Sequence, residues 1–127
     1  DMAYKLVKYD GRPVLKLSTG KRTLVDEKQV LRIKQGDTLV KDIIALRHER
    51  GAGEPILKPV MKEGRRLQPP EPLTLVRERF GEEFRALDER YKSIEDPETF
   101  PVALSTGLQQ LQERIVHEVR EKELGES

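Results

Sequence analysis

The feature that most constrains the fold is a change in the spacing of apolar residues on either side of Pro69 and Pro70. Upstream, residues 29–34 alternate apolar and polar side chains, which is typical of half-buried strands. Downstream, apolar residues recur at every third or fourth position, as they do on one face of a helix. The sequence therefore predicts an α+β chain, with a β-rich part at residues 1–66 and a helical part at residues 67–127.

Two antiparallel hairpins are expected in the β-rich part. Asp10 and Gly11 form a turn signal between residues 3–9 and 14–17, which both carry apolar side chains among lysines. A Gln-Gly-Asp turn at residues 35–37 predicts a second hairpin, formed by the apolar segments on either side of it. These hairpins are expected at the N-terminal end of the fold.

The segment 48–70 is the least regular part of the chain. It carries four prolines and three glycines, and proline lacks the N–H that the interior of a sheet needs. Any strand within this segment must therefore be short, and we expect one at residues 56–61.

Two amphipathic helices are expected in the C-terminal, helical part. The first has Pro72 in its first turn, where a missing N–H is tolerated. Its apolar face comprises Leu73, Val76, Phe80, Phe84, Leu87 and Tyr91. The second begins near Ser105 or Thr106, where Thr106 and Gln109 have capping-box spacing, and it ends at Gly125. Its apolar face comprises Leu108, Leu111, Ile115 and Val119. We expect the helices to pack antiparallel, on the β-rich part or on a further part of a larger protein.

The net charge of +1 conceals a strong asymmetry. Residues 1–66 carry 16 Lys and Arg against 9 Asp and Glu, whereas residues 67–127 carry 8 against 14. A basic part favours anionic partners, but its only aromatic residues are Tyr4 and Tyr9, which leaves few platforms on which nucleic-acid bases could stack. Nucleic acid is therefore an unlikely partner, and small phosphorylated ligands or an acidic protein face fit the charge at least as well.

Several classes of site are excluded or disfavoured by composition. The chain has no cysteine, which excludes disulfides and thiolate metal sites. Neither His48 nor His117 has a second ligand at metal-binding spacing, so no metal site and no catalytic residue are predicted. No apolar run is long enough for a signal peptide or a membrane span, so a cytoplasmic location is expected. Because Asp1 precedes Met2, we expect a piece of a longer or processed polypeptide.

A Ser-Thr-Gly turn between two lysines is the best candidate for a binding site. Small-residue backbone, hydroxyl groups and ammonium groups in one loop are suited to holding a phosphate. The candidate phosphate-binding residues are Lys16, Ser18, Gly20, Lys21, Lys28 and Arg32. The alternative is a solvated basic loop, because Ser-x-Gly-Lys is much shorter than a full phosphate-loop signature.

Several segments in a fixed order resemble the C-terminal part of nicotinate phosphoribosyltransferases, the nicotinate salvage family. They comprise Tyr4-Lys5-Leu6-Val7, Gly11-Arg12-Pro13, Lys16-Leu17-Ser18-Thr19-Gly20-Lys21, Lys28-Gln29-Val30 with Arg32, Asp42-Ile43-Ile44-Ala45-Leu46, Pro55-Ile56-Leu57-Lys58-Pro59-Val60-Met61 and Phe100-Pro101-Val102-Ala103-Leu104-Ser105. The resemblance extends from about Ala3 to Leu111. One difference is that Val25-Asp26-Glu27 stands where the family usually has Pro-Gly.

The resemblance implies a parent enzyme larger than this chain. Enzymes of the family join nicotinate to 5-phosphoribosyl-1-pyrophosphate, giving nicotinate mononucleotide and pyrophosphate, with Mg²⁺ and with coupled hydrolysis of ATP. They have two domains, one an α/β barrel and one a smaller β domain, and they form homodimers. The family's catalytic residues lie upstream of the part that this chain resembles, so we expect the chain alone to be inactive and to bind no cofactor of its own.

Two other interpretations remain open. The first is a free-standing basic module that binds anions or RNA through the face formed by residues 5–34. The second is a purely structural role, in which the β-rich part completes a sheet and the helices stabilise a dimer without any contact to a ligand.

Overall fold

The computed structural model describes residues 2–17 and 22–125. Eight strands and two α-helices follow one another along this part of the chain. They are β1 Lys8–Tyr9, β2 Arg12–Pro13, β3 Lys28–Gln35, β4 Thr38–Leu46, β5 Glu54–Pro55, β6 Met61–Lys62, β7 Arg65–Arg66, α1 Leu73–Ala86, β8 Val102–Leu104 and α2 Thr106–Gly125. The predicted α+β class is confirmed.

The largest sheet has four strands in the order β5, β3, β4, β8. Its centre is the hairpin of β3 and β4, which confirms the prediction from the turn at residues 35–37. Beside it, Asp42 N–H donates to Pro101 O (3.1 Å) and Ser105 N–H donates to Ile44 O (2.9 Å). Because the residue numbers of both partners rise together, β8 runs parallel to β4.

The irregular segment forms strands at other positions than predicted. Instead of one strand at residues 56–61, β5 pairs with β3 as an edge strand and β6 pairs with β7 in a separate hairpin. Pro59 stands in the middle of the predicted strand and has no N–H to donate to a ladder. The prediction was therefore wrong about where pairing begins and ends.

The first hairpin is present, although its strands are shorter than predicted. Strands β1 and β2 pair Lys8 with Pro13 and Tyr9 with Arg12. The two turn residues between them have φ angles of 51° and 73°, as a type I′ hairpin turn requires.

The chain divides into two compact units, each made of several segments. The first contains Asp1–Gln29, Ile44–Arg50 and Leu104–Ser127, and the second contains Val30–Ile43 and Gly51–Ala103. The predicted boundary at residue 66 stays a prediction.

The first unit has a small apolar core against α2. Val25 and Leu108 are completely buried, and Ile115 is buried on the same face of the helix. The helix begins and ends as predicted, but its N-cap is Ser105, whose Oγ accepts the Leu108 N–H (3.1 Å). The predicted capping role of Thr106 was therefore wrong by one residue.

In the second unit, α1 ends at Ala86, earlier than the predicted face that continued to Tyr91. Asp88 explains this early end, because its side chain accepts the Arg90 N–H (3.1 Å) and caps a separate 3₁₀ turn, Glu89–Tyr91. The Tyr91 ring then packs edge-to-face on Phe100, with the ring centroids 5.3 Å apart.

The apolar face of α1 is exposed. None of its residues is buried, and the exposed fractions reach 85% for Leu73 and 67% for Phe80. Of the two covers predicted for this face, the β-rich part does not bury it within the second unit, and a further part of a larger protein stays a prediction. Within the described ranges, no helix is long and apolar enough to cross a membrane.

Candidate anion-binding pocket

A cavity of about 360 Å³ lies in the first unit, between α2 and the segments that flank residues 18–21. Three cationic, three apolar and three other polar side chains line it. They are Lys16, Arg22 and Arg120, then Leu15, Leu17 and Val116, then Thr23, Gln112 and Glu113. We call this cavity the basic pocket, and its volume is within the range of small-ligand sites.

Gln112 builds one wall of the basic pocket by joining α2 to the chain before β3. Its side-chain Oε1 accepts the Val25 N–H (3.0 Å), and its Nε2 donates to Thr23 O (2.8 Å). Only 4% of Gln112 is exposed, so these bonds satisfy groups that would otherwise be buried without partners. The sequence analysis missed this residue, although its spacing from Leu108 and Ile115 places it on the buried face of the helix.

The cations of the basic pocket are not engaged by other side chains that the structure describes. Lys16, Arg22 and Arg120 are exposed, and none of their side chains forms an ion pair or hydrogen bond with another residue in the described part of the chain. Glu113 is the single carboxylate in the lining. Because cationic donors form short, charge-assisted hydrogen bonds with oxyanions, this arrangement is suited to a phosphate or carboxylate group.

Of the predicted phosphate-binding residues, the structure describes Lys16, Lys28 and Arg32. Lys16 lines the basic pocket, whereas Ser18, Gly20 and Lys21 lie outside the described residues. The roles proposed for these residues from the sequence stay predictions.

Lys28 does not line the basic pocket, and its donors are already engaged. Its Nζ donates to the carbonyl oxygens of Leu24 (2.8 Å), Val25 (3.3 Å) and Asp26 (2.5 Å). Partial burial lowers the pKa of Lys28, an effect that the charge of Asp26 opposes. In this conformation Lys28 holds the chain that leads into β3.

Arg32 lies in the second unit and is paired with acidic side chains. Its Nε and Nη2 donate to the two carboxylate oxygens of Asp42, both at 3.0 Å, and Glu83 approaches its Nη1 at 3.9 Å. The hydrogen bond to Asp42 is the main reason why the pKa of Arg32 is raised. A phosphate would have to compete with this two-pronged ion pair for the guanidinium.

The departure from the family's Pro-Gly has a clear structural consequence. Asp26 has a φ of 67°, in the left-handed region that glycine adopts most easily. Its Oδ1 accepts the Glu27 N–H (2.7 Å), and Lys8 Nζ lies 3.9 Å from the same oxygen. Asp26 thus adopts a conformation typical of glycine and supplies its own hydrogen bond.

No cluster of three or more His, Asp or Glu side chains that could hold a metal ion occurs among residues 2–17 and 22–125.

Comparisons with known proteins agree with one another on the family. Residues 51–112 match the model of the nicotinate phosphoribosyltransferase C-terminal domain. Over 107 residues the chain is 37% identical to nicotinate phosphoribosyltransferases from two strains of Mycobacterium tuberculosis, and the match covers 83% of this chain and 23% of each relative.

The fold of the chain also agrees with that of a solved structure. The crystal structure of human nicotinic acid phosphoribosyltransferase superposes with a TM-score of 0.77 at 23% identity, over 88% of this chain and 26% of that one. The chain thus spans about a quarter of the length of the proteins it matches. The resemblance predicted from the sequence is confirmed: this chain corresponds to the C-terminal region of the nicotinate phosphoribosyltransferase family.

Proposed function

We propose that this chain is the C-terminal part of an enzyme that joins nicotinate to 5-phosphoribosyl-1-pyrophosphate in the salvage of NAD. The products are nicotinate mononucleotide and pyrophosphate. The observation that carries the proposal is the match of residues 51–112 to the family's C-terminal domain, in agreement with the relatives and the fold.

The parent enzyme, on this proposal, supplies the catalytic groups from outside these 127 residues. Displacement of pyrophosphate from an anomeric carbon requires positive charge near the departing group, together with a flat slot for the pyridine ring. Mg²⁺ and coupled ATP hydrolysis are proposed for the parent alone. We further propose that the parent is a cytoplasmic homodimer, in which this chain contacts the N-terminal and barrel parts of the same protein.

The exposed face of α1 supports this arrangement. Leu73, Val76, Phe80 and Phe84 are between 43% and 85% exposed, and an apolar stripe of this kind is typical of a surface covered by other protein. The remaining three quarters of a family enzyme would provide that cover.

Two measurements test the proposal. The purified 127-residue chain, supplied with nicotinate, 5-phosphoribosyl-1-pyrophosphate and Mg²⁺-ATP, is expected to form no nicotinate mononucleotide by mass spectrometry. An antibody against the chain is expected to detect a polypeptide well above 14.6 kDa in the source cells and to deplete this activity from their lysate. Turnover by the chain alone, or a native band at 14.6 kDa without depletion, would contradict the proposal.

The basic pocket favours a second candidate, a free-standing anion-binding module. Three cationic side chains that have no partner among the described residues, at a cavity of about 360 Å³, are a specific observation for it. Calorimetric titration with pyrophosphate would then show binding that is lost in the Lys16→Gln/Arg120→Gln double variant. Binding of RNA, weakening steeply as salt is raised, would instead favour the nucleic-acid form of this candidate.

A further inference from the structure

The hairpin of β6 and β7 carries a pair of cations that its fold does not require. Its turn residues, Glu63 and Gly64, have φ angles of 52° and 77°, as a type I′ turn requires. The register places Lys62 opposite Arg65. The next pair toward the base with side chains on the same face is Val60 and Leu67, joined by Leu67 N–H donating to Val60 O (3.0 Å).

Lys62 and Arg65 repel each other in this arrangement. Residues directly opposite one another in an antiparallel pair have side chains within contact distance, and like charges there are destabilising. Both residues are exposed, and neither side chain has an ion pair or hydrogen bond with any residue that the structure describes. A two-stranded hairpin is marginally stable by itself, and a repulsive pair next to its turn lowers its stability further.

The hairpin of β1 and β2 provides an internal comparison. Its turn also has two positive φ angles, at Asp10 and Gly11, but the pair next to the turn is Tyr9 and Arg12. The same turn geometry therefore forms in this chain with a single cation in the pair next to the turn, and the second cation of the Lys62–Arg65 pair needs another explanation.

We propose that Lys62 and Arg65 together bind a phosphate group of a small phosphorylated ligand. A phosphate near neutral pH carries up to two negative charges and several acceptor oxygens, so it can accept hydrogen bonds from both side chains and neutralise both. The guanidinium presents a planar fork of donors and the ammonium a compact charge. Val60 and Leu67, 73% and 49% exposed, provide an apolar surface beside the phosphate for the rest of the ligand.

The test is a titration of the complete 127-residue chain with inorganic pyrophosphate at low ionic strength, followed by the backbone amide signals of residues 60–67 in ¹H–¹⁵N NMR spectra. Saturable shifts centred on Gly64 are expected. Lys62→Gln and Arg65→Gln should each weaken binding by about tenfold, as the loss of one charge-assisted bond implies, and the double variant should abolish the shifts.

Matched controls separate this site from general charge effects and from the basic pocket. Arg12→Gln removes one cation from the comparison hairpin, and Arg120→Gln removes one from the basic pocket; neither should alter the shifts at residues 60–67.

The stability of the variants distinguishes ligand binding from a structural role of the two cations. If the two cations stabilised the fold, Lys62→Gln would lower the urea concentration at the midpoint of unfolding. Relief of the repulsion is instead expected to leave this midpoint unchanged or to raise it.

Three outcomes would overturn the proposal. They are shifts that persist in the double variant, equal losses of affinity in Arg12→Gln and Lys62→Gln, and shifts that occur with a single-stranded oligonucleotide but not with pyrophosphate. Because the site lies outside the basic pocket, failure here leaves the proposed parent enzyme untouched.

Discussion

At the scale of single residues, Gln112 has a structural role that charge and hydropathy do not indicate. Replacing it by leucine leaves the Val25 N–H and Thr23 C=O without partners. We expect Gln112→Leu to lower the free energy of unfolding by about 1–3 kcal/mol, the cost of unsatisfied buried polar groups. Urea denaturation measures the change, and Gln110→Leu on the exposed side of α2 is the control. Equal stability of the two variants would refute the role given to Gln112.

Asp26 offers a second test at this scale, because its φ of 67° separates two effects of the side chain. Asp26→Gly removes the hydrogen bond to the Glu27 N–H but also the strain on a Cβ, whereas Asp26→Ala removes the bond and keeps the strain. We therefore expect the alanine variant to be less stable than the glycine variant by about 1 kcal/mol. Thermal denaturation followed by circular dichroism decides the order, and a more stable alanine variant would contradict it.

These residues also show why the candidate site could be predicted only in part. The sequence reveals that Lys16, Lys28 and Arg32 are cations, but not which acceptors meet them in the fold. Lys28 finds carbonyls two to four residues away, and Arg32 finds Asp42 across the hairpin. The partners of Gln112 lie 87 and 89 residues away in sequence, a separation that local patterns do not encode.

At the scale of elements, the start of α2 distinguishes two candidate caps. Ser105 Oγ accepts the Leu108 N–H (3.1 Å) and lies 2.7 Å from Glu49 Oε1, to which it donates. Ser105→Ala should therefore cost about 1–2 kcal/mol of stability, while Thr106→Ala, at an exposed helical position, should change it by less than about 0.5 kcal/mol. Chemical denaturation of the two variants is the measurement, and the reverse order would restore Thr106 as the cap.

The 3₁₀ turn after α1 predicts that the stability of the fold depends on pH. Bonds from the backbone N–H of Arg90 and then from its guanidinium hold the pKa of Asp88 below its usual range. Because the folded-state pKa is depressed, the stabilisation is complete above the unfolded-state pKa, about 3.9, and is lost as the pH falls through the lower folded-state value. The stability difference between wild type and Asp88→Asn should therefore shrink below about pH 4. Glu95→Gln serves as the control, and a difference that grows on acidification would contradict the assignment.

Local signals explain which elements were predicted correctly. Turn residues and alternation lie within a few positions of one another, so the hairpin of β3 and β4 and the limits of α2 followed from the sequence. Strand β8 has only three residues, and its pairing depends on β4, which is about 60 residues away in sequence. The helix α1 ended early because Asp88 offered a competing cap, which apolar spacing alone does not weigh.

At the scale of the whole molecule, the fold class and the family agree, yet the chain has little buried apolar surface. In the part of the chain that the structure describes, seven hydrophobic residues are buried, while sixteen large ones are exposed. Area removed from water is the main source of folding free energy, so a chain with this balance gains stability from any surface that covers its exposed apolar groups. The proposed parent enzyme would supply such a surface over α1.

Phe80 and Leu108 differ strongly in their exposure to solvent. Phe80 is 67% exposed, whereas Leu108 is fully buried. In the 127-residue chain, Phe80→Gln should change the free energy of unfolding by less than about 0.5 kcal/mol, while Leu108→Ala should lower it by about 2–5 kcal/mol. In the proposed full-length parent, by contrast, Phe80→Gln should lower the melting temperature, because other protein covers the face of α1 there. A parent enzyme as indifferent to Phe80→Gln as the chain alone would show that α1 faces solvent there too, and would leave its apolar face for a different partner.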